Sequence, residues 1–258
     1  MYEQLSNEAF VTVSVDDGHP IDLRTAELLR KYDIKATFYV PARNPERPVL
    51  SKGQMRRLAD AFELGCHTMN HLPLISIPLD TAWKEISAGK AWLEDSLGEP
   101  VVSFCYPRGK HSIRTAALVK KAGFLGARTC FMNRYDFPAN PFLWGVSSQG
   151  HNHSRAIQIR HALLEQNVRG AVNFLYIHKG ATDWATHFSH AIDWVGAKGG
   201  IAHLYLHSWE IDEADDWTKL ERVLRFISER MDIKKVTNGE LFSLWHNRHE
   251  YRRLVPLA

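Results

Sequence analysis

Cysteine is scarce in this chain. Cys66, Cys105 and Cys130 are an odd number with no C-x-x-C pair, a pattern that supplies neither a disulfide framework nor a cysteine-based structural zinc knuckle. A reducing, cytoplasmic setting is the expectation. No apolar run approaches the roughly 20 residues a membrane-spanning helix needs, and the N-terminal stretch MYEQLSNEAF lacks the basic start and apolar core of a secretory signal. Charge of one sign is also missing. A formal net charge of +3 is too small to point to nucleic acid or an anionic membrane as partner. The densest basic cluster, Arg248, Arg252 and Arg253, reads as a solvated helix end. No Pro/Gly/Ser-rich linker, repeat or low-complexity tract divides the chain, so residues 1–258 read as one catalytic-size domain.

What the chain does have is alternation. Strand patterns at Phe10–Val15, Ala36–Val40, Leu64–His67, Val101–Tyr106, Phe124–Thr129, Leu143–Ser147, Val172–Ile177, Ile201–Leu206 and Lys234–Thr237 are interleaved with helical periodicity. The helices fall at Leu23–Tyr32, Lys52–Phe62, Thr81–Leu97, Ile113–Ala122, Ala156–Gln166, Ala185–Ala197 and Trp217–Arg230. A last one, Gly239–Asn247, has Asn238 as its expected cap. Met132–Pro141 reads as a long loop. Such alternation predicts a parallel sheet covered by helices, either a (β/α) barrel or an open doubly wound sheet. The weakly alternating apolar strands agree, because parallel strands are buried on both faces. No GxGxxG follows the first strand, which argues against dinucleotide binding.

Fourteen histidines direct attention to metal or proton chemistry. The first strand ends in Asp16-Asp17-Gly18, at the carboxyl edge where α/β active sites lie. Neighbouring side chains diverge, so one carboxylate can bind a cation while the other moves a proton. Asp-Gly alone is ordinary turn chemistry. The third strand runs into His67-Thr68-Met69-Asn70-His71; on a helical turn this spacing would put both imidazoles on one face. Two histidines and a carboxylate form a catalytic metal set with positions left open. Cys66 alternates to the other face of its strand and reads as core. The Tyr106-Pro107-Arg108-Gly109 turn offers backbone donors to an oxyanion, and Arg108 offers a partner for a carboxylate. His207 ends a late strand and is placed to protonate a leaving group, with His178 a rival and His203 a packing residue. Of the eight tryptophans, Trp184, Trp194, Trp209 and Trp217 fall near these C-terminal positions, where indoles suit sugar faces but more commonly pack a core.

Taken in order, Asp-Asp-Gly, His-Thr-x-x-His, the aromatic-Pro turn and Leu-His-Ser-Trp resemble the polysaccharide deacetylase family (NodB-homology domain, carbohydrate esterase family 4), over roughly Phe10 to Trp245. The resemblance implies a distorted (β/α) barrel of about seven to eight parallel strands and metal-dependent removal of acetyl groups from an N-acetylated sugar. It implies Asp16 as base, Asp17, His67 and His71 as ligands of one divalent metal, and His207 as general acid, with Thr68 steadying the loop. Zn²⁺ is the expected metal, with Co²⁺, Mn²⁺ and Ni²⁺ compatible with the same ligands. The chain departs from the family at two places. Cys105 stands where the family's third motif has an Arg that supports the base, with Arg108 as the expected substitute. The Asp that orients the catalytic His has no obvious counterpart, Asp136 and Asp183 being the candidates. The expected partner is a carbohydrate or small acetamide. Related hydrolases of cyclic amides, sugar deformylases and a non-catalytic carbohydrate-binding relative are the alternatives.

Overall fold

The computed structural model describes residues 8–254, with side chains described to residue 248. The N-terminal stretch read for a leader, apart from Glu8 to Phe10, and the side chains of Arg252 and Arg253 lie outside the described residues. Eight strands form one sheet: β1 (Ala9–Asp16), β2 (Ala36–Val40), β3 (Glu63–Cys66), β4 (Ser103–Cys105), β5 (Gly126–Arg128), β6 (Ser148–Gln149), β7 (Gly200–Leu206) and β8 (Lys234–Lys235). Every pairing is parallel, in the order β5-β4-β3-β2-β1-β7-β6, with β8 added beside the start of β1. The helices are α1 (Asp22–Lys31), α2 (Lys52–Ala59), α3 (Leu79–Leu97), α4 (Ile113–Lys121), α5 (Arg155–Leu164), α6 (Val168–Tyr176), α7 (Trp184–Lys198), α8 (Ser208–Glu213), α9 (Trp217–Glu229) and α10 (Asn238–Leu254).

The sheet curls and is nearly closed by an irregular segment. Trp144 bridges Arg128 of β5, and the Ser147 N–H donates to the His203 carbonyl of β7. The strand expected at Leu143–Ser147 is therefore this stitch, with only Ser148–Gln149 regular. All eight residues of β1 are buried, as a central parallel strand requires. The core runs from Val11, Val13 and Val15 through Phe38, Phe104 and Leu204 to the inner faces of α1, α3, α7 and α9.

Three local expectations are corrected, and one helix was not anticipated. Val172–Ile177 is not a strand but part of α6, because Gly170 and Phe174, four residues apart, face inward and Asn167 caps the helix start. The short α8 after β7 carries no apolar periodicity long enough to read. The spacing His67-x₃-His71 is not a helical turn; it is a loop leaving β3, with Thr68 and His71 in the left-handed region (φ 69° and 56°). The cap of α10 is Thr237, which exchanges hydrogen bonds with Glu240. The Asn238 side chain is engaged by Thr12 and Tyr39 and is not free to cap.

Candidate active site

Three strand ends converge on Asp17. β1 delivers it at φ 79°, a costly conformation for a residue with a Cβ. Gly18 follows at φ 59°, where a Cβ would lie 2.7 Å from Val40 Cγ1, so the tight turn behind Asp17 requires glycine. β3 delivers His67. The loop to His71 is pinned on α3: the Glu85 carboxylate accepts from the Asn70 backbone (2.8 Å) and amide side chain (2.7 Å), while the Glu85 carbonyl accepts from Met69 N–H (3.0 Å). His71 Nε2 lies 3.1 Å and His67 Nε2 3.7 Å from Asp17 Oδ1. Nitrogen and oxygen donors of Asp17, His67 and His71 all fall within 4.8 Å of one another, and the three residues are buried.

The donor set fits a divalent cation. His67 Nδ1 donates to the Cys105 carbonyl (2.9 Å), which fixes the tautomer and leaves Nε2 unprotonated toward Asp17. Burial and the neighbouring His71 hold the His67 pKa down to about 4, so the ring is neutral, as a ligand must be. Burial alone would raise the Asp17 pKa. The His71 hydrogen bond and the nearby histidines outweigh it and hold the carboxyl far below the usual range. The Trp209 indole N–H donates to Asp17 Oδ2 (3.0 Å), while Arg47 lies over its ring at 3.9 Å. Trp209 thus orients Asp17.

Asp16 sits beside this cluster and is paired with Arg128, a residue not anticipated as functional. The guanidinium donates to Asp16 Oδ2, and both side chains are almost fully buried. Asp16 Oδ1 is buried with no protein partner, leaving it free to accept a proton. Burial would raise the Asp16 pKa, but Arg128, His67 and His207 overcome it and keep the carboxylate ionised. Arg108, expected to do this, is instead on the surface in an ion pair with Glu46. The reason is register: Cys105 on β4 and Arg128 on β5 are direct partners in parallel strands and share one row of the sheet. A small Cys105 leaves space for Arg128 to reach across, its Nη2 coming within 2.8 Å of Cys105 Sγ. A guanidinium on β5 thus reaches Asp16 from the row that Cys105 occupies on β4. The Tyr106–Gly109 turn is also not a ready set of donors. Its Tyr106 N–H goes to the Arg128 carbonyl and its Gly109 N–H to Tyr106.

On the other side of Asp17 stands His207, with Nε2 3.9 Å from Asp17 Oδ2 and Nδ1 2.8 Å from Glu210 Oε2. Glu210, in the first turn of α8, is the orienting carboxylate. Asp136 instead pairs with Arg134 and Arg169, and Asp183 caps α7 and meets Lys219. Burial would lower the His207 pKa. The Glu210 hydrogen bond and the carboxylate charges raise it to about 9. Replacing Glu210 with Gln keeps an acceptor and removes the charge. It is expected to move the alkaline limb of the rate profile to lower pH by about one unit or more, whereas an unmoved limb would exclude Glu210 as the group that sets it. The rival His178 stacks on His187 (3.3 Å between ring centroids) and hydrogen-bonds Tyr135, and His203 packs against Ser14, so neither joins the cluster. Glu210 was readable as the acidic residue one helical turn after His207, and Arg128 as a charge inside an apolar strand.

A polysaccharide deacetylase family model matches residues 4–127, the stretch that supplies Asp16, Asp17, His67 and His71. Over this stretch the chain is similar to the polysaccharide deacetylases. A curated relative, peptidoglycan-N-acetylglucosamine deacetylase of Bacillus cereus, is 30% identical over 126 residues, which are 48% of this chain and 57% of that protein. The match thus spans little more than half of the relative's length. Among solved structures, one from Mycobacterium smegmatis assigned to the polysaccharide deacetylases superposes with a TM-score of 0.59 at 15% identity, over 93% of this chain and 92% of that one. The peptidoglycan deacetylase PdaC of Bacillus subtilis gives 0.56 at 15% identity, over 96% and 98%. At such identities these structures show the polysaccharide deacetylase fold, a curled α/β half-barrel of parallel strands, across nearly the whole chain.

Proposed function

We propose that this chain hydrolyses the acetamide of an N-acetylated sugar, with one divalent metal held by Asp17, His67 and His71. The observation that supports it best is the division of labour around Asp17. A buried carboxylate with one free oxygen, Asp16, stands on one side. A histidine held protonated by Glu210 stands on the other. That is a base and an acid with pKa values pushed apart, as hydrolysis of an amide needs.

A bound divalent ion, Zn²⁺ or one of Co²⁺, Mn²⁺ and Ni²⁺, would polarise the acetyl carbonyl and make water easier to deprotonate. Asp16 Oδ1 takes the proton from the attacking water, while Oδ2 stays fixed on Arg128. His207 gives its proton to the departing sugar amine, without which the C–N bond does not break at neutral pH. Glu210 then holds the ring in place for recharging.

The test is acetate release from N-acetylated sugars by metal-loaded protein, run beside cyclic ureides and N-formyl sugars. Acetate release that disappears on chelation and returns with Zn²⁺ is expected. Ring opening or formate release with no acetate would replace this substrate class by the corresponding alternative. Purified protein with under about a tenth of an equivalent of metal, and no thermal stabilisation on adding Zn²⁺, would identify a non-catalytic relative.

A further inference from the structure

Eight of the twelve exposed large apolar side chains among the described residues lie within residues 155–176, on α5 and α6. Leu163, Leu164, Val168, Val172, Leu175 and Tyr176 are each between 57 and 73% exposed. At roughly 200 Å² for a fully open residue of this size, the six present about 800 Å². A monomer's largest apolar patch is usually about 300–600 Å², and one side of a stable protein interface about 800 Å². The polarity of α5 is also inverted for a lone chain. Gln158 is buried while Ile157 and Ile159 face solvent. On its inner side the hairpin is fixed to the barrel, Asn167 Nδ2 donating to the Met132 carbonyl and Asn173 Nδ2 to that of Asn133 (both 2.8 Å).

The pattern suits another helix rather than a lipid surface. Val168, Val172 and Leu175 follow the four-then-three spacing of a helix–helix seam, narrower than the apolar face of an interfacial helix. Two of the exposed arginines beside it are engaged by this chain, Arg169 with the Asp136 carboxylate (3.1 Å) and Arg155 with the Gly180 carbonyl (2.9 Å). Tyr176 extends the patch onto α7 by packing edge-on against Trp194 (5.9 Å between centroids).

We infer that the α5–α6 hairpin docks on the same hairpin of a second copy of this chain, forming a four-helix contact about a twofold axis. Such an isologous contact places each seam against its symmetry mate and buries both sets of leucines and valines. Its root lies beside the acid. The chain His153–Gln149–Glu210 runs by hydrogen bonds of 2.8 and 3.2 Å from the start of the hairpin to the carboxylate that orients His207. The dimer therefore stiffens one wall of the proposed site.

Analytical ultracentrifugation of the full chain at micromolar concentration tests this. The expected mass is twice the chain mass of 29.5 kDa. The variant Leu163→Glu/Val172→Glu, altered only at exposed positions, is expected to sediment as a monomer with an unchanged circular dichroism spectrum. A monomeric wild type overturns the inference. So does a dimer that persists in the variant, which would place the contact elsewhere. Monomeric wild type that floats with phosphatidylglycerol vesicles, when the variant does not, overturns it in favour of a membrane surface.

Discussion

Asp16→Asn is expected to keep the metal and lose turnover, and Asp17→Asn to lose the metal. The two carboxylates are adjacent in sequence but diverge. Asp17 Oδ1 faces His67 and His71, whereas Asp16 Oδ2 is held by Arg128. An amide at position 16 still accepts a hydrogen bond from Arg128 but has no proton affinity to offer a water. Losing a general base typically costs about 10²–10⁴ in rate. An amide at position 17 removes the only anionic ligand from the cluster, and its oxygen is a far weaker donor to a dication. Elemental analysis of each purified variant, run beside acetate release, separates the two outcomes. Near-normal turnover by Asp16→Asn would remove the base assignment, and full metal occupancy in Asp17→Asn would remove that ligand.

The same two aspartates show how far the sequence alone can be read. Asp16, Asp17, His67 and His71 are legible because ligand geometry demands fixed residue types at strand ends, and strand ends are set by local apolar pattern. The parallel sheet was legible for the same reason: β1, β2 and β7 are runs too apolar to face water on either side. Arg128 was not assigned because its role depends on register. Only the pairing Cys105↔Arg128 shows that a side chain on β5 occupies the row where an arginine on β4 was missed. Glu210 depended on recognising α8, six residues with no periodicity of their own. The α5–α6 hairpin misled in a different way. A β-rich run, Val172-Asn173-Phe174-Leu175-Tyr176-Ile177, reads as a buried strand, yet half of it is apolar surface on a helix. Only Phe174 and Ile177 of the run are buried, whereas Val172, Leu175 and Tyr176 face outward, and pattern reading assumes that all of them must serve the core.

Arg128→Met is expected to lower stability by about 3–5 kcal/mol, since removing one partner of a buried ion pair strands the other charge. It should also change the sign of the response to acid. In the wild type the folded Asp16 pKa lies below its ordinary value of 3.8. The stability this contributes is therefore present above that value and is lost as pH falls through the folded one. Without Arg128, burial dominates and the Asp16 pKa rises, so the variant's deficit shrinks as pH falls and the carboxyl is protonated. The same shift leaves Asp16 a poor base at neutral pH, and activity should recover toward alkaline pH until His207 loses its proton near its raised value of about 9. Denaturant midpoints and rates across the pH range read both effects. The decisive variant is the exchange Cys105→Arg/Arg128→Cys. Because the two positions are register partners, the guanidinium should reach Asp16 from β4 as it does from β5. Stability and rate should then return most of the way to wild type. An exchange no better than Arg128→Met alone would mean that Asp16 needs more than a cation in that row. The Tyr205 and Tyr39 rings, 4.7 and 5.5 Å from the Arg128 guanidinium, would then be the contacts that matter.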